Sequence, residues 1–444
     1  LYDARVIPER LCGDELDVVV VTRDVWTLDP ELSFARSGGE NDFSIGLSDS
    51  NLLGFGKSLG ISYQRDLDRR GISVEYSDRN ILYTRWALDV LVADSDDGER
   101  QALAVRHPFY SLDARRAFAV SAERFRREES LYFLGDEIWD YGLDTFSARV
   151  SGGWSAGVID DVATRYLVGY GYDEYAFDFS AEFSAGFADF QPPDREFGYP
   201  FIAIERIEDD YDKLANFDRV GRTEDVALGS SLYAEIGYST SALGGRGNDL
   251  VWRLRFDDAS WLTETQLVSY GFSLRGFYSI DDDAAENLRA DANAEYRYLH
   301  ADNWSLLIRG SASVAHKPTV DQQLLAGGAF GLRGYPNRFQ TGDRRFLITV
   351  EERYYFDIYP FRMFRLGAAA FLDIGRAWYG GRAPAWLPED RDGSEFGVLT
   401  NVGIGLRIEL TRFSDRVLHV DLAFPMQDGP GVGVELTVSA KQTL

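Results

Sequence analysis

Few residues of this chain have the types and spacing that covalent catalysis needs. Ser155 is the centre of a Gly-x-Ser-x-Gly pattern at residues 153–157, which in hydrolases presents the nucleophile on a turn between a strand and a helix. Here the pattern continues an alternating, strand-like segment, so we do not expect that turn. The histidines are dispersed and lack the spacing of metal ligands: His107, His300, His316 and His419. The sequence therefore predicts neither an enzyme nor a bound metal or organic cofactor.

The chemistry that the chain does offer is ion pairing between charged side chains on alternating segments. Glu351 shares one face with Thr349 and Arg353, while the apolar residues of that segment fall on the other face. Asp373 lies on the polar face of the next segment, 365–378. Carboxylates at such positions are the natural partners of an arginine, because the guanidinium fork matches a carboxylate.

Apolar and polar residues alternate along nearly the whole chain, including the segments that carry these charged residues. In 399–410 and 417–426 one face is apolar and the other carries polar or charged residues, which is the period of a β-strand. Full charges recur on the polar faces, as a water-filled lumen permits, and the connecting segments have unequal lengths. The pattern predicts an all-β, transmembrane antiparallel β-barrel, and we count about 18 to 20 strand-like segments. A soluble β-protein is the alternative.

Composition agrees with a barrel. Aromatic residues make up 14% of the 444 residues, and they suit both strands and membrane interfaces. We find no apolar run near the ~18 residues that a membrane-spanning helix needs. The formal net charge is −26, which argues against a nucleic-acid partner because phosphate binding needs clustered Lys and Arg. The single cysteine, Cys12, excludes an intramolecular disulfide.

Residues 327–378 contain the tetrapeptide Leu332, Arg333, Gly334 and Tyr335, followed by Glu351-Glu352-Arg353 and by Phe371-Leu372-Asp373-Ile374-Gly375. With these motifs the segment resembles the C-terminal barrel of the BamA/TamA and two-partner-secretion superfamily of outer-membrane proteins. Residues 49–57 and 420–425 are also similar to segments of that family, so the resemblance extends over about 31–444. Glu352 departs from the pattern, because it interrupts the lipid face of its strand.

The resemblance implies a 16-stranded barrel, whose sixth extracellular loop folds back into the lumen. By this resemblance Arg333 sits at the loop tip and pairs with the inward acids Glu351 and Asp373, while Gly334 allows the tight turn that presents it. Removal of one partner of such a desolvated pair typically costs about 3–5 kcal/mol.

The predicted organisation is a short periplasmic extension, 1–30, followed by the barrel, 31–444, in the bacterial outer membrane. Members of the superfamily usually carry POTRA domains before the barrel. Either such domains have been removed from this chain or a separate periplasmic or surface partner protein supplies their role. The other expected partners are outer-membrane lipid, lipopolysaccharide and a polypeptide substrate.

The expected function is to insert or translocate polypeptides at the outer membrane, through the lumen or through a lateral seam between the first and last strands. We place those strands near Leu32–Gly38 and Val432–Val438. The side chains chosen to mark the seam are Leu32, Phe34, Val432, Val434 and Leu436. The alternatives are a passive pore and a scaffold that anchors partner proteins.

Overall fold

A computed structural model describes residues 3–12, 15–23, 26–215, 217, 220, 223–301, 303–387, 396–410 and 416–442. Most of these residues lie in β-strands. One short α-helix, α1 (Ala181–Phe187), and several single 3₁₀ turns interrupt the strands.

The first two strands, β1 (Asp3–Cys12) and β2 (Glu15–Arg23), form a separate antiparallel sheet. The strands that follow are β3 (Leu28–Ser37), β4 (Glu40–Asp49), β5 (Lys57–Arg65), β6 (Arg70–Asp78), β7 (Ala87–Ser95), β8 (Gly98–His107), β9 (Arg116–Phe133), β10 (Asp136–Ile159), β11 (Val162–Phe179), β12 (Arg195–Glu208), β13 (Asp210–Ala215), β14 (Thr223–Ser239), β15 (Asp249–Thr263), β16 (Gln266–Ser279), β17 (Ala284–Ala301), β18 (Trp304–His316), β19 (Leu324–Ala326), β20 (Gln340–Gly342), β21 (Arg344–Tyr355), β22 (Phe364–Trp378), β23 (Leu399–Leu410), β24 (Arg416–Pro425) and β25 (Glu435–Gln442). Because β3 begins at Leu28, the predicted boundary at 30/31 falls inside it.

Strands β3 to β25 close into one antiparallel barrel in chain order, except that β19 and β20 pair only with each other, inside a loop. β12 and β13 are two parts of one barrel strand, since both pair with β14. The barrel has 20 strands, so the expected number of 16 is wrong. The error came from the family resemblance: short segments such as β3 to β8, which have nine or ten residues each, are real members of the ladder.

Alternation places apolar side chains outside and polar ones inside. On β23, Val402, Ile404 and Leu406 are exposed on the outer surface, whereas Asn401 and Arg407 are buried in the lumen. The described residues include no helix long and apolar enough to span a membrane.

The two ends of the barrel differ in their connections. We call the end at which β3 begins the N-terminal end, and the opposite one the loop end. The loop end carries the connections 38–39, 66–69, 96–97, 134–135, 180–194, 240–248, 280–283, 317–343, 379–398 and 426–434. The loop with the Leu-Arg-Gly-Tyr tetrapeptide, 317–343, is therefore the eighth at its end and not the sixth, because the barrel has more strands than expected.

Candidate functional site

The 317–343 loop turns inward from the loop end and packs against the inner wall. Leu332, Tyr335 and Phe339 have no exposed surface and form an apolar cluster with wall residues such as Ala377 and Leu399. Burial of apolar surface stabilises a contact by about 25 cal/mol per Å², so these three side chains fix the loop to the wall. The loop therefore carries its polar residues into the lumen along with these anchors.

Arg333 meets both acids that the sequence singled out. Its Nε and Nη2 donate to the two carboxylate oxygens of Asp373, each at 2.8 Å, in the bidentate geometry that suits arginine. Its Nη1 donates to Glu351 Oε2 at 3.2 Å and to Asp421 Oδ2 at 2.8 Å. The guanidinium carbon also lies 3.3 Å from the centre of the Phe371 ring, a cation–π contact. The sequence had placed Asp421 on a polar strand face but had not linked it to Arg333.

Two further arginines balance the three carboxylates. Arg353 Nε donates to Glu351 Oε1 at 2.7 Å, and Arg407 lies between Glu351 and Asp421, at 2.9 Å and 2.5 Å. Glu351 and Arg407 are 3% and 2% exposed. Three arginines, counting Arg333, thus face three acids, so the buried group has no net charge, as a desolvated cluster requires.

Neutral donors complete the coordination of Asp373. Asn401 Nδ2 and Thr349 Oγ1 each donate to its carboxylate at 2.9 Å. Gly334 lies so close to β23 that an added Cβ would stand 2.7 Å from Asn401 Cβ. The tetrapeptide therefore needs glycine at this position because of a close approach; the backbone there is not left-handed.

The same loop touches both sides of the junction between the first and last strands. Tyr335 OH donates to the Thr400 carbonyl at 2.8 Å and contacts Gln427, both on the C-terminal side. Asn337 Nδ2 donates to the Ser37 carbonyl at the end of β3, at 2.7 Å. The loop therefore straps this junction from inside the lumen.

The junction itself is the weakest part of the sheet. Among the described residues, β25 and β3 share one residue pair, Val438 opposite Arg36. By contrast, β24 and β25 pair from Arg416↔Gln442 to Ala423↔Glu435. We call this β3–β25 junction the seam. A cavity of about 360 Å³ lies behind it, between the arginine cluster and inward side chains of both seam strands.

The side chains that the sequence assigned to the seam do not all lie there. Leu32 and Phe34 are exposed on the outer face of β3, 74% and 48%, and Leu436 is exposed on β25. Val432 and Val434 lie in the connection before β25, and Val432 packs against the apolar cluster of the loop. The expected last strand, 432–438, starts too early because Gly431, with φ of 68°, turns the chain before the strand begins.

The N-terminal end of the lumen is also filled, which the sequence did not reveal. β13 and the first part of β14, residues 223–228, pair with each other and fold inward. We call these two segments, together with Phe217 and Val220, the inward hairpin. Trp261 Nε1 donates to Asp212 Oδ2 at 2.9 Å, and Leu214 and Leu228 pack on Leu267 of the wall.

At the tip of the inward hairpin, Val220 reaches the far wall. Its N–H donates to Glu409 Oε2 at 2.7 Å, and its carbonyl accepts from Arg365 Nη1 at 3.0 Å. Its side chain packs on Tyr355 and Val417. These contacts join strands that are distant in sequence, so no local pattern could have indicated them.

Other candidate chemistry gains no support from the geometry. The Ser155 hydroxyl donates to the Thr164 carbonyl at 2.7 Å within the β10–β11 ladder. Among the described residues, no group of three or more His, Cys, Asp or Glu side chains is arranged to hold a metal ion.

Comparisons with known proteins give likenesses of fold. No family model matches the sequence, and no curated protein matches it. The match to BamA from Haemophilus ducreyi, solved without POTRA domains 1–3, covers 98% of this chain and 74% of the BamA chain, at 13% identity and a TM-score of 0.47. The match to CdiB from Escherichia coli covers 98% of this chain and 66% of the CdiB chain, at 12% identity and a TM-score of 0.43. The match to OprD from Pseudomonas aeruginosa covers 93% of this chain and 92% of the OprD chain, at 10% identity and a TM-score of 0.37.

All these TM-scores are below 0.5, so none of these likenesses assigns a function to this chain. A closed antiparallel sheet with an apolar exterior and a charged lumen is the architecture that spans the outer membrane. This chain is an outer-membrane β-barrel.

Proposed function

We propose that this barrel inserts polypeptides into the outer membrane, or translocates them across it, by opening the β3–β25 seam. The observation that carries the proposal is that, over the part of both strands that the structure describes, one residue pair joins them, Val438 opposite Arg36. Elsewhere the barrel ladders are long, for example β3–β4 from Leu28↔Asp49 to Ser37↔Glu40. A barrel built only to be stable would pair this junction as fully as the others.

An under-paired seam supplies what an incoming strand needs. Backbone N–H and C=O groups of β3 and β25 that have no partner across the seam can pair with a third strand. The affinity of such strand addition comes mainly from the backbone, and it therefore tolerates many substrate sequences. The exposed side chains of Leu32, Phe34 and Leu436 would lie beside the entering strand on the outer face.

The loop strap explains how a weak seam stays closed at rest. Asn337 holds β3, and Tyr335 and Arg333 hold the C-terminal strands. Their contacts are side-chain hydrogen bonds, each worth about 0.5–3 kcal/mol. They can be exchanged one at a time as a substrate strand replaces them, whereas a full β-ladder would have to open as a unit.

A passive pore is the less favoured alternative, because the lumen is occupied from both ends. The 317–343 loop enters from the loop end, and the inward hairpin crosses to Glu409 and Arg365 from the N-terminal end. A scaffold role has one supporting observation: the β1–β2 sheet exposes Val6 and Val20, 65% and 56%, as a surface for a partner protein.

The test is a disulfide across the seam. In a Cys12→Ser background, Arg36→Cys with Val438→Cys joins residues that lie directly opposite each other. We expect the oxidised protein to lose its ability to assemble an unfolded client barrel in liposomes, and reduction to restore it. The matched control is Ser33→Cys with Ser44→Cys, which locks the continuous β3–β4 ladder and should leave assembly unchanged. Full assembly by the seam-locked protein would show that the seam is not the route.

A further inference from the structure

Three connections at the N-terminal end share an unusual conformation. Each contains a single 3₁₀ turn: Leu52–Gly54, Ile81–Tyr83 and Pro360–Arg362. The middle residue of each turn is a large apolar residue with positive φ: Leu53 at 52°, Leu82 at 50° and Phe361 at 54°. These three side chains are 82%, 86% and 86% exposed. We call them the apolar knobs.

Two of the knobs belong to an internal sequence repeat. Asp49–Leu53 reads Asp-Ser-Asn-Leu-Leu, and Asp78–Leu82 reads Asp-Arg-Asn-Ile-Leu. The backbone N–H of each asparagine donates to the carboxylate of the aspartate two residues before it, at 2.9 Å and 3.0 Å. The same local hydrogen bond thus builds the same turn twice on the rim of the barrel.

Each knob carries two penalties. A bulky residue with positive φ is disfavoured, and glycine or asparagine would relieve the strain. A large apolar side chain that is fully exposed to water loses its hydrophobic stabilisation. Another turn at the same end avoids these penalties, because its residues with positive φ, Asp160 at 50° and Asp161 at 60°, are polar and of a type that tolerates this conformation. Strain that recurs at apolar positions points to a use for those side chains.

The height of the apolar belt indicates what covers the knobs. On β16 the outward apolar residues run from Val268 to Tyr278, which is about 34 Å along the strand. On β4 they run only from Phe43 to Leu47, about 14 Å, which is short of the ~25 Å band that faces hydrocarbon in such barrels. Leu53 lies in the connection that follows β4 at the N-terminal end. The knob therefore continues the belt on the side where the strands are too short to complete it.

Aromatic residues of the kind found at membrane interfaces lie near the connections of two knobs. Trp86 packs edge-on against His107, 5.6 Å between ring centroids, next to the turn of Leu82. Trp304 and Tyr354 pack at 4.8 Å beside the connection of Phe361. Tryptophan and tyrosine concentrate at the boundary between hydrocarbon and headgroups.

Positive charge accompanies the second knob, Leu82. Arg79 and Arg85 flank the turn of Leu82 and are exposed, and the Arg85 guanidinium covers the Tyr110 ring at 3.7 Å. An arginine held over an aromatic ring, beside exposed apolar side chains, has the chemistry to meet lipid phosphates.

We propose that Leu53, Leu82 and Phe361 insert into the phospholipid interface at the N-terminal end of the barrel and anchor that rim in the leaflet. The occupant is lipid because the knobs are large exposed apolar side chains that follow the ends of lipid-facing strands, and aromatic residues typical of a membrane interface lie near two of them. This anchoring is independent of the proposed seam function, since it requires only a barrel in a membrane.

The test places a polarity-sensitive fluorophore on each knob. In a Cys12→Ser background, Leu53→Cys, Leu82→Cys and Phe361→Cys are labelled with a nitrobenzoxadiazole dye and refolded into phosphatidylethanolamine–phosphatidylglycerol vesicles. Asp161→Cys is the matched control, an exposed residue with positive φ in a polar turn at the same end. We expect blue-shifted emission and quenching by spin-labelled lipid at the three knobs, and water-like emission at the control.

A second measurement separates side-chain loss from misfolding. Leu53→Asn with Leu82→Asn keeps residues that tolerate the left-handed conformation and removes the apolar groups. We expect several-fold slower insertion into vesicles and an unchanged circular dichroism spectrum, whereas Asp161→Asn should insert at the parent rate. Water-like emission at all three knobs in vesicles overturns the proposal. Protection that occurs only in native membranes, and not in vesicles, also overturns it, in favour of a protein partner.

Discussion

Replacement of Arg333 by methionine tests whether the buried charge cluster holds the loop. Methionine keeps the length of the side chain and removes four hydrogen bonds, two to Asp373 and one each to Glu351 and Asp421. The side chains of these acids are 1–3% exposed, so water does not replace the lost donors without rearrangement. Three carboxylates would then face two arginines.

The expected loss of stability is large. Removal of one partner from a buried pair costs about 3–5 kcal/mol, which lowers the folding equilibrium constant roughly a hundred- to several-thousand-fold. Asp373→Asn should cost less, about 1.5–3 kcal/mol, because Arg333 keeps its bonds to Asp421 and Glu351. The double variant should be less destabilised than the sum of the two, since the asparagine removes a charge that methionine leaves unpaired.

The assay is urea unfolding of the barrel in vesicles, followed by tryptophan fluorescence. Arg246→Met is the control, because the Arg246 side chain is 54% exposed in its pair with Glu196 and such pairs contribute under about 1 kcal/mol. A free energy of unfolding for Arg333→Met within about 1 kcal/mol of the parent, with an unchanged circular dichroism spectrum, would refute the idea that the cluster fixes the loop.

Three further predictions concern the loop end. Asn337→Ala removes the donor to the Ser37 carbonyl, so amide hydrogen exchange of β3 should accelerate. Exchange of strands that are fully paired on both sides, such as β10 and β11, should stay slow. Gly334→Ala places a methyl group 2.7 Å from a side-chain carbon of β23; the 317–343 loop should become sensitive to protease, and an unchanged digestion pattern would contradict the close approach. Hydrogen bonds from the side chain and backbone N–H of Asn248 hold the pKa of Asp281 below its usual range. The stabilisation from this contact is fully present above the pKa that Asp281 has in the unfolded chain. It should be lost only as the pH falls through the lower pKa that Asp281 has in the folded protein, and an NMR titration of the Asn248 amide would show this loss.

The sequence was sufficient where a property depends on residues close together in the chain. Alternation along 399–410 predicts that Arg407 faces the lumen, and the structure places it there. The same alternation led to about 18 to 20 strands, which includes the observed 20. The expectation of 16 came from the resemblance, and it failed because the number of strands in a closed sheet can vary while the motifs of one loop and its neighbouring strands remain.

The sequence was insufficient where side chains meet across the lumen. Asp421 lies on a polar face, but periodicity does not tell which loop residue will reach it. The bond from Asn337 to Ser37 joins residues 300 positions apart. The inward hairpin reads as two ordinary strands, because its direction depends on packing of Leu214 and Leu228 against the wall.

Different kinds of hydrogen bond hold the seam and the rest of the barrel together. In the fully paired ladders, each strand is held mainly by backbone hydrogen bonds, which most changes of side chain leave in place. At the seam, the described backbone contributes one pair, Val438 with Arg36, and side chains of the 317–343 loop add hydrogen bonds to both sides.

Control of opening is thereby moved from the backbone to specific residues. Arg333 connects the loop to β21, β22 and β24, while Asn337 alone among the loop bonds described above reaches β3. The C-terminal side is therefore fixed by a charged cluster of several residues, whereas β3 itself is held by a neutral hydrogen bond. On that side the charged contact of the loop, Arg338 with Asp68, reaches the β5–β6 connection and not β3. If the seam opens, β3 should be the strand that leaves and β25 the one that stays with the loop. Spin labels on β3 and β4 should then move relative to β22 during client assembly, while labels on β24 and β22 keep their distance; the opposite pattern would show that the cluster is the part that yields.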